Sequence, residues 1–162
     1  MKQIKIPYGI ADFKRLREEE YIYVDKTPYI EKLENTPMTI YVRPRRFGKS
    51  LFTSMISYYY DLQEIDNFEK LYKGLYVYDN PTPKKNSYYI LKFNFSGMNV
   101  SSNKTEKEIE ELFNKKVYSS CQDFIDKYNL GIEIKENIDA AMILVELLRC
   151  RFTLYFLQQS SN

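Results

Sequence analysis

The residues best suited to chemistry stand together at Arg43-Pro44-Arg45-Arg46-Phe47-Gly48-Lys49-Ser50. They follow the apolar run Met38 to Val42 and lead into an amphipathic segment opening at Leu51. Strand, loop, Gly-Lys-Ser and helix in that order are the context a phosphate-binding loop requires. In such a loop backbone N–H groups point at phosphate oxygens, and the positive end of the following helix adds to their field. Lys49 is then expected on the β- and γ-phosphates and Ser50 on a Mg²⁺ that bridges them. Arg45 and Arg46 bring two fixed positive charges to the place a triphosphate would take. The full pattern G-x-x-x-x-G-K-[ST] has glycine where this chain has Arg43, and an arginine reaches left-handed backbone angles only with strain. On these residues alone, a basic loop capping a core helix accounts for Gly48-Lys49-Ser50 as well as a nucleotide site does.

More of the chain bears on that choice. Ile6-Pro7-Tyr8-Gly9-Ile10 with Asp12-Phe13, Tyr23-Val24-Asp25-Lys26-Thr27, the loop with Leu51-Phe52, Tyr58-Tyr59-Tyr60-Asp61, Gly74-Leu75-Tyr76 and the stretch Asn80 to Gly97 together resemble the N-terminal part of the AAA-ATPase-like family. These are P-loop proteins that often carry a restriction-endonuclease-like nuclease domain behind the ATPase. The family's loop is similar to Arg-Pro-Arg-Arg-Phe-Gly-Lys-Ser, so Arg43 is what the resemblance implies. It further implies ATP and Mg²⁺ held by Arg43, Arg45, Arg46, Phe47, Gly48, Lys49 and Ser50, with Ser50 on the metal. The implied fold is α/β, a P-loop NTPase-like parallel sheet with flanking helices and the ligand at the carboxyl ends of the strands. The same pattern commonly has an aspartate where Asn94 stands, and an apolar strand ending in Asp-Glu-Tyr-Asp. Here Phe152 to Leu157 runs into Gln158-Gln159-Ser160-Ser161-Asn162. Amides do not hold Mg²⁺ or act as a base as carboxylates do. We therefore read the chain as a member truncated before the acidic Walker B strand, its sheet incomplete at the C-terminus and its hydrolytic activity open.

The 162 residues, 44% hydrophobic, suit one domain over 1–162. It divides into a leading helical segment (1–36), the phosphate-binding strand, loop and helix (37–60), and the remaining strands and helices (61–162). The 24 basic and 22 acidic side chains leave a net charge of +2, so the whole-molecule field makes no case for non-specific nucleic-acid binding. With no histidine, Ser-His and Cys-His nucleophile pairs are excluded. Cys121 and Cys150 are read as reduced, buried, small apolar residues. No signal peptide is visible at the start, and the longest apolar stretch, Ala140 to Leu148, is interrupted by Glu146 and far short of the roughly 20 residues of a membrane span. A cytoplasmic protein without a membrane partner is expected.

The elements that must position the loop follow from pattern. Ala11 to Glu20, with Phe13 and Leu16 among charges, reads as a short surface helix capped by Asp12. Tyr21 to Val24 read as extended. Thr27 reads as an N-cap with Pro28 at the first helical position, in a helix ending near Asn35; the resemblance implies that this leading segment packs beside the loop, which makes Asp25 and Lys26 candidate site residues, although a cap and a solvated charge are their more ordinary roles. Leu51, Phe52, Met55, Ile56 and Tyr59 share one helical face. Tyr58, Tyr59 and Tyr60 cannot all face a core, so at least one could lie near a bound base or a partner. Phe68 to Gly74 reads as a short amphipathic piece, Leu75 to Tyr78 as a strand, and Tyr88 to Phe95 as a strand beside that of the loop. Thr105 to Tyr128 is the clearest helix, Ile138 to Leu148 a shorter one, and Phe152 to Leu157 a last strand.

Three functions are compatible with this reading. The first is a module that binds ATP-Mg²⁺ with little or no turnover. The second is a non-catalytic module contacting a protein, a second copy or a nucleic-acid backbone through Arg43, Arg45, Arg46 and exposed aromatics. The third is an inactive family fragment whose apolar Phe152 to Leu157 is left as an unpaired, aggregation-prone strand.

Overall fold

Asp12 starts α1 (Phe13–Glu18) by accepting the Arg15 N–H on its Oδ1 at 2.7 Å, the N-cap role its side chain predicts. The helix is short, yet Phe13 and Leu16 are fully buried. The Phe13 ring meets Tyr23 edge-on at 5.2 Å and Tyr72 at 5.3 Å, pairs of a kind worth about 0.5–1.5 kcal/mol beyond their buried area. The expected surface helix is therefore a core helix on one face. From its polar side, Arg17 donates to the Leu71 and Lys73 carbonyls at 2.7 Å each, satisfying the end of α4 (Phe68–Tyr72) as orphan C-terminal carbonyls require. Its burial there lowers the Arg17 pKa.

The computed structural model describes residues 4–36, 44, 47–95, 98, 105–135, 139–149 and 154–159. The expected strand Met38 to Val42, the loop's three arginines and Cys150 lie outside them. Helix and strand are mixed along the chain, which forms two units, Met1–Tyr88 and Tyr89–Asn162.

In the first unit, α2 (Tyr29–Glu34) and α3 (Lys49–Tyr60) follow α1. Helix α3 buries Phe52, Met55, Ile56, Tyr59 and Tyr60, as the 3.6-residue period requires, while Leu51 is half-buried. All three tyrosines at its end are engaged. Tyr59 and Tyr60 are core residues, and Tyr60 Oη donates to Glu34 Oε1 at 2.9 Å. Tyr58 Oη donates to Asp12 Oδ2 at 2.9 Å. As expected, the three do not all face the core: Tyr60, the last residue of the helix, turns inward beside Tyr59, their rings edge-on at 5.0 Å, while Tyr58 is half-buried. A 3₁₀ turn (Leu62–Asn67) leads into α4, which stops before Gly74 at φ +80.

Residues Tyr76–Asp79 are helical, as α5, where alternating aromatic and branched residues predict a strand. The reason is tertiary. Asp25 Oδ2 accepts the Tyr76 N–H at 2.7 Å and Thr27 Oγ1 accepts the Val77 N–H at 3.2 Å, so orphan amides at the start of α5 are satisfied from another segment. The same bonds correct the reading of Thr27. Its hydroxyl donates to Asp25 Oδ1 at 2.7 Å and does not cap α2, whose N-cap position is taken by Pro28.

The second unit contains β1 (Tyr89–Asn94), α6 (Glu106–Tyr128), α7 (Ala140–Arg149) and β2 (Leu154–Gln159). The two strands pair in parallel, with Tyr89 opposite Leu154 and Asn94 opposite Gln159. Connecting parallel neighbours needs a long crossover, which α6 and α7 supply. This overturns the expectation of an unpaired terminal strand, because β1 takes up β2 along its whole length. Thr105 and Glu108 form a capping box at the start of α6, and its second half buries Val117, Cys121, Phe124, Ile125 and Tyr128. Tyr128 Oη then accepts the Ile90 N–H of β1 at 2.8 Å.

Candidate functional site

Gly48 has φ +73 and ψ 26, a left-handed conformation, and sits at the N-cap of α3. Glycine adopts it without steric penalty, so the motif's glycine is where the chain turns sharply into the helix. The Phe52 N–H is bonded to the Gly48 carbonyl at 2.9 Å. The amides before it have no helical acceptor by geometry. Among the described residues no side chain caps this end, and no acidic residue lies in its first turn. Helix α6, by contrast, carries Glu106 and Glu108 there and a complete capping box. The positive end of α3 is therefore not neutralised by its own sequence.

A concavity partly open to solvent lies at this end of the helix. Its walls are Phe47, Gly48, Lys49, Phe52 and Thr53 from the loop and α3, and Lys26 and Tyr29 from the start of α2. Phe47 is 60% exposed and Tyr29 43%, whereas Phe52 is 9% exposed, so the floor is apolar core and the rim is two accessible aromatic rings. Lys32 Nζ lies 5.3 Å from the Tyr29 ring centroid. Among the described residues its lining includes two lysines and no acidic residue, a charge balance suited to an anion.

Of the residues assigned to the site from sequence, Phe47, Gly48 and Lys49 are brought together here. Ser50 is the second residue of α3, half-buried, and is not among the lining residues. Arg43, Arg45 and Arg46 lie outside the described residues. The sequence pattern makes Phe52 a core residue, gives no sign of Thr53 or Tyr29, and favours a solvated charge over a site role for Lys26. A methyl placed on Gly48 would lie 3.7 Å from Lys26 Nζ, so Lys26 reaches the loop directly. The signal available was Asp25-Lys26-Thr27, whose outer members anchor the backbone on either side of the lysine. Asp25 Oδ1 accepts the Thr27 N–H at 2.8 Å as well as its hydroxyl, and Thr27 is fully buried.

The AAA-ATPase-like family model, described as Predicted AAA-ATPase, matches residues 7–153. The chain belongs to the AAA-ATPase-like family. Among curated proteins, this AAA-ATPase-like chain is 38% identical over 81 residues to an "Uncharacterized protein in vnfD 5'region" of Azotobacter chroococcum mcd 1. That similarity takes in 49% of this chain and 15% of the relative, so the chain spans a small part of that protein's length. No solved structure matches. Among the described residues, no helix of this AAA-ATPase-like chain is long and apolar enough to cross a membrane.

Proposed function

We propose that the chain is an ATP-binding module that holds ATP-Mg²⁺ on Arg43 to Ser50 and, by itself, turns it over slowly or not at all. The observation that carries this reading is the uncapped start of α3, entered through a left-handed Gly48 and facing a concavity lined by Lys26 and Lys49. The residues fit the group. Gly48 lacks the Cβ that would project beside Lys26 Nζ, which lets backbone approach phosphate closely. Bound ATP-Mg²⁺ would supply the polyphosphate and its metal. Lys49 would neutralise the β- and γ-phosphates, Ser50 would offer its hydroxyl to the metal, and Arg43, Arg45 and Arg46 would add charge from the loop. The accessible rings of Tyr29 and Phe47 give an apolar rim against which a base can stack.

Slow turnover is supported by the strand ends. Asn94 pairs in register with Gln159 at the ends of β1 and β2, and Phe93 with Gln158; an amide neither carries a carboxylate's charge for Mg²⁺ nor accepts a proton from water. The proposal extends β1 and β2 into a P-loop NTPase-like parallel sheet with flanking helices, in a cytoplasmic protein that works on a protein partner or a second copy.

The test is thermal unfolding with and without Mg²⁺-ATP, beside Lys49→Ala. Ligand at about 100 times its Kd adds roughly 2.7 kcal/mol, so wild type is expected to melt several degrees higher with ATP and the variant to show no shift. Equal shifts in both proteins would refute the loop as the site. Steady phosphate release above that of Lys49→Ala would refute slow turnover.

A further inference from the structure

We propose that Lys26 is a second phosphate-contacting cation of this site, set by its neighbours to meet the terminal phosphates of a nucleoside polyphosphate. The assignment rests on the nucleotide reading of residues 43–50. Three observations lead to it. Lys26 lines the same concavity as Lys49 and approaches Gly48 at the turn where the loop enters α3. Among the described residues, neither lysine forms an ion pair. The nearest carboxylate in sequence, Asp25, is already committed, with Oδ1 to the Thr27 N–H and hydroxyl and Oδ2 to the Tyr76 N–H. Two lysines lining one concavity bring like charges to it, and these repel. What relieves that repulsion is an anion with more than one charge.

The backbone at Lys26 is fixed on every side. Thr27 is buried and tied to Val77, Asp25 is tied to Tyr76, and the Lys26 carbonyl accepts the Tyr29 N–H at 3.2 Å. The side chain is half-buried. Holding the stem this way reduces the ordering a ligand contact would otherwise require. Lysine is a compact point charge with rotatable donors, suited to phosphate oxygens that vary in position. The tripeptide Asp25-Lys26-Thr27 thus presents one charge between two anchors, and α5 is the element that receives the anchors.

The experiment is calorimetric titration of the whole chain, as wild type, Lys26→Met, Lys26→Arg and Lys49→Ala, with Mg²⁺-ATP, AMP and inorganic tripolyphosphate. Without the charge-assisted hydrogen bond from Lys26 to the terminal phosphates, Lys26→Met is expected to bind ATP and tripolyphosphate about tenfold more weakly, or worse. AMP affinity should stay within about twofold, the ligand-free melting temperature should be unchanged, and Lys26→Arg should recover most of the loss. Wild type that binds ATP while Lys26→Met binds it equally well overturns the Lys26 assignment and leaves the loop reading standing. Equal losses for ATP and AMP, or a ligand-free melting temperature that falls with affinity, overturn it in favour of a structural role. Wild type that binds neither Mg²⁺-ATP nor tripolyphosphate overturns both readings.

Discussion

Tyr58 Oη donates to Asp12 Oδ2 at 2.9 Å, so the carboxylate that starts α1 also holds the helix that carries Lys49. Ser54 Oγ strengthens the link, accepting the Phe13 N–H at 3.0 Å. Asp12→Ala removes an N-cap, about 1 kcal/mol, and the acceptor of a half-buried phenol, at least about another 1 kcal/mol. The variant is expected to lose about 2 kcal/mol in urea unfolding, and Asp12→Asn less, because an amide oxygen still accepts. An Asp12→Ala midpoint equal to wild type would mean that burial of Phe13 and Leu16 alone holds α1 on α3.

Gly48→Ala separates conformation from space. The added methyl meets Lys26 Nζ at an ordinary 3.7 Å, but φ +73 is strained for alanine by roughly 1–2 kcal/mol. If the turn relaxes to escape that strain, the loop's amides move away from the ligand position. The expectation is a modest loss in melting temperature and a larger loss in the ATP-induced shift. A full ATP shift in Gly48→Ala would show that the left-handed turn is not needed for binding.

Thr27→Val keeps shape and removes a buried hydroxyl that both donates to Asp25 and accepts from Val77. Leaving a buried amide without its acceptor is worth about 1–3 kcal/mol, and the damage should concentrate at α5. Hydrogen exchange read residue by residue is expected to show faster exchange at Val77 than at Met55 in α3. Uniform acceleration through Met1–Tyr88 would instead indicate global destabilisation.

What could be read from sequence follows the range of the interactions that decide each element. The start of α6 was legible because Thr105 and Glu108 cap within one turn, and its 3.6-residue period is local. The turn at Gly48 was legible for the same reason. Helix α5 was not, since its first amides are satisfied by Asp25 and Thr27, 51 and 50 residues away in sequence; Leu75 to Tyr78 alone carry only a strand's composition. Lys26 is a candidate from sequence only through the family resemblance, because nothing local brings it to Gly48. Phe52 was assigned correctly to the core, but periodicity cannot show that a core residue also floors a concavity. The amides Gln158 and Gln159 were legible as departures from an acidic strand end, while their register with Phe93 and Asn94 depends on a pairing that spans α6 and α7.

The pH dependence of stability should be set by tyrosines. With no histidine in the chain, no side chain of ordinary pKa titrates between about pH 6 and 8. Burial pushes the Tyr23 phenol up to about 12 and raises Tyr59. Tyr58 is raised by burial first and then by its bond to Asp12, and fully buried Tyr72 is raised well above 10. In the unfolded chain these phenols titrate near 10. Above that pH the folded state keeps protons that the unfolded state has released, so stability falls as pH rises. Their contribution is fully present below about pH 10 and is lost as pH climbs through the folded values. Urea midpoints are expected to stay level from pH 6 to 9 and to drop steeply from pH 10 to 11.5, with the drop shallower in Tyr23→Phe. A decline already complete by pH 9 would assign the loss to groups other than these four phenols.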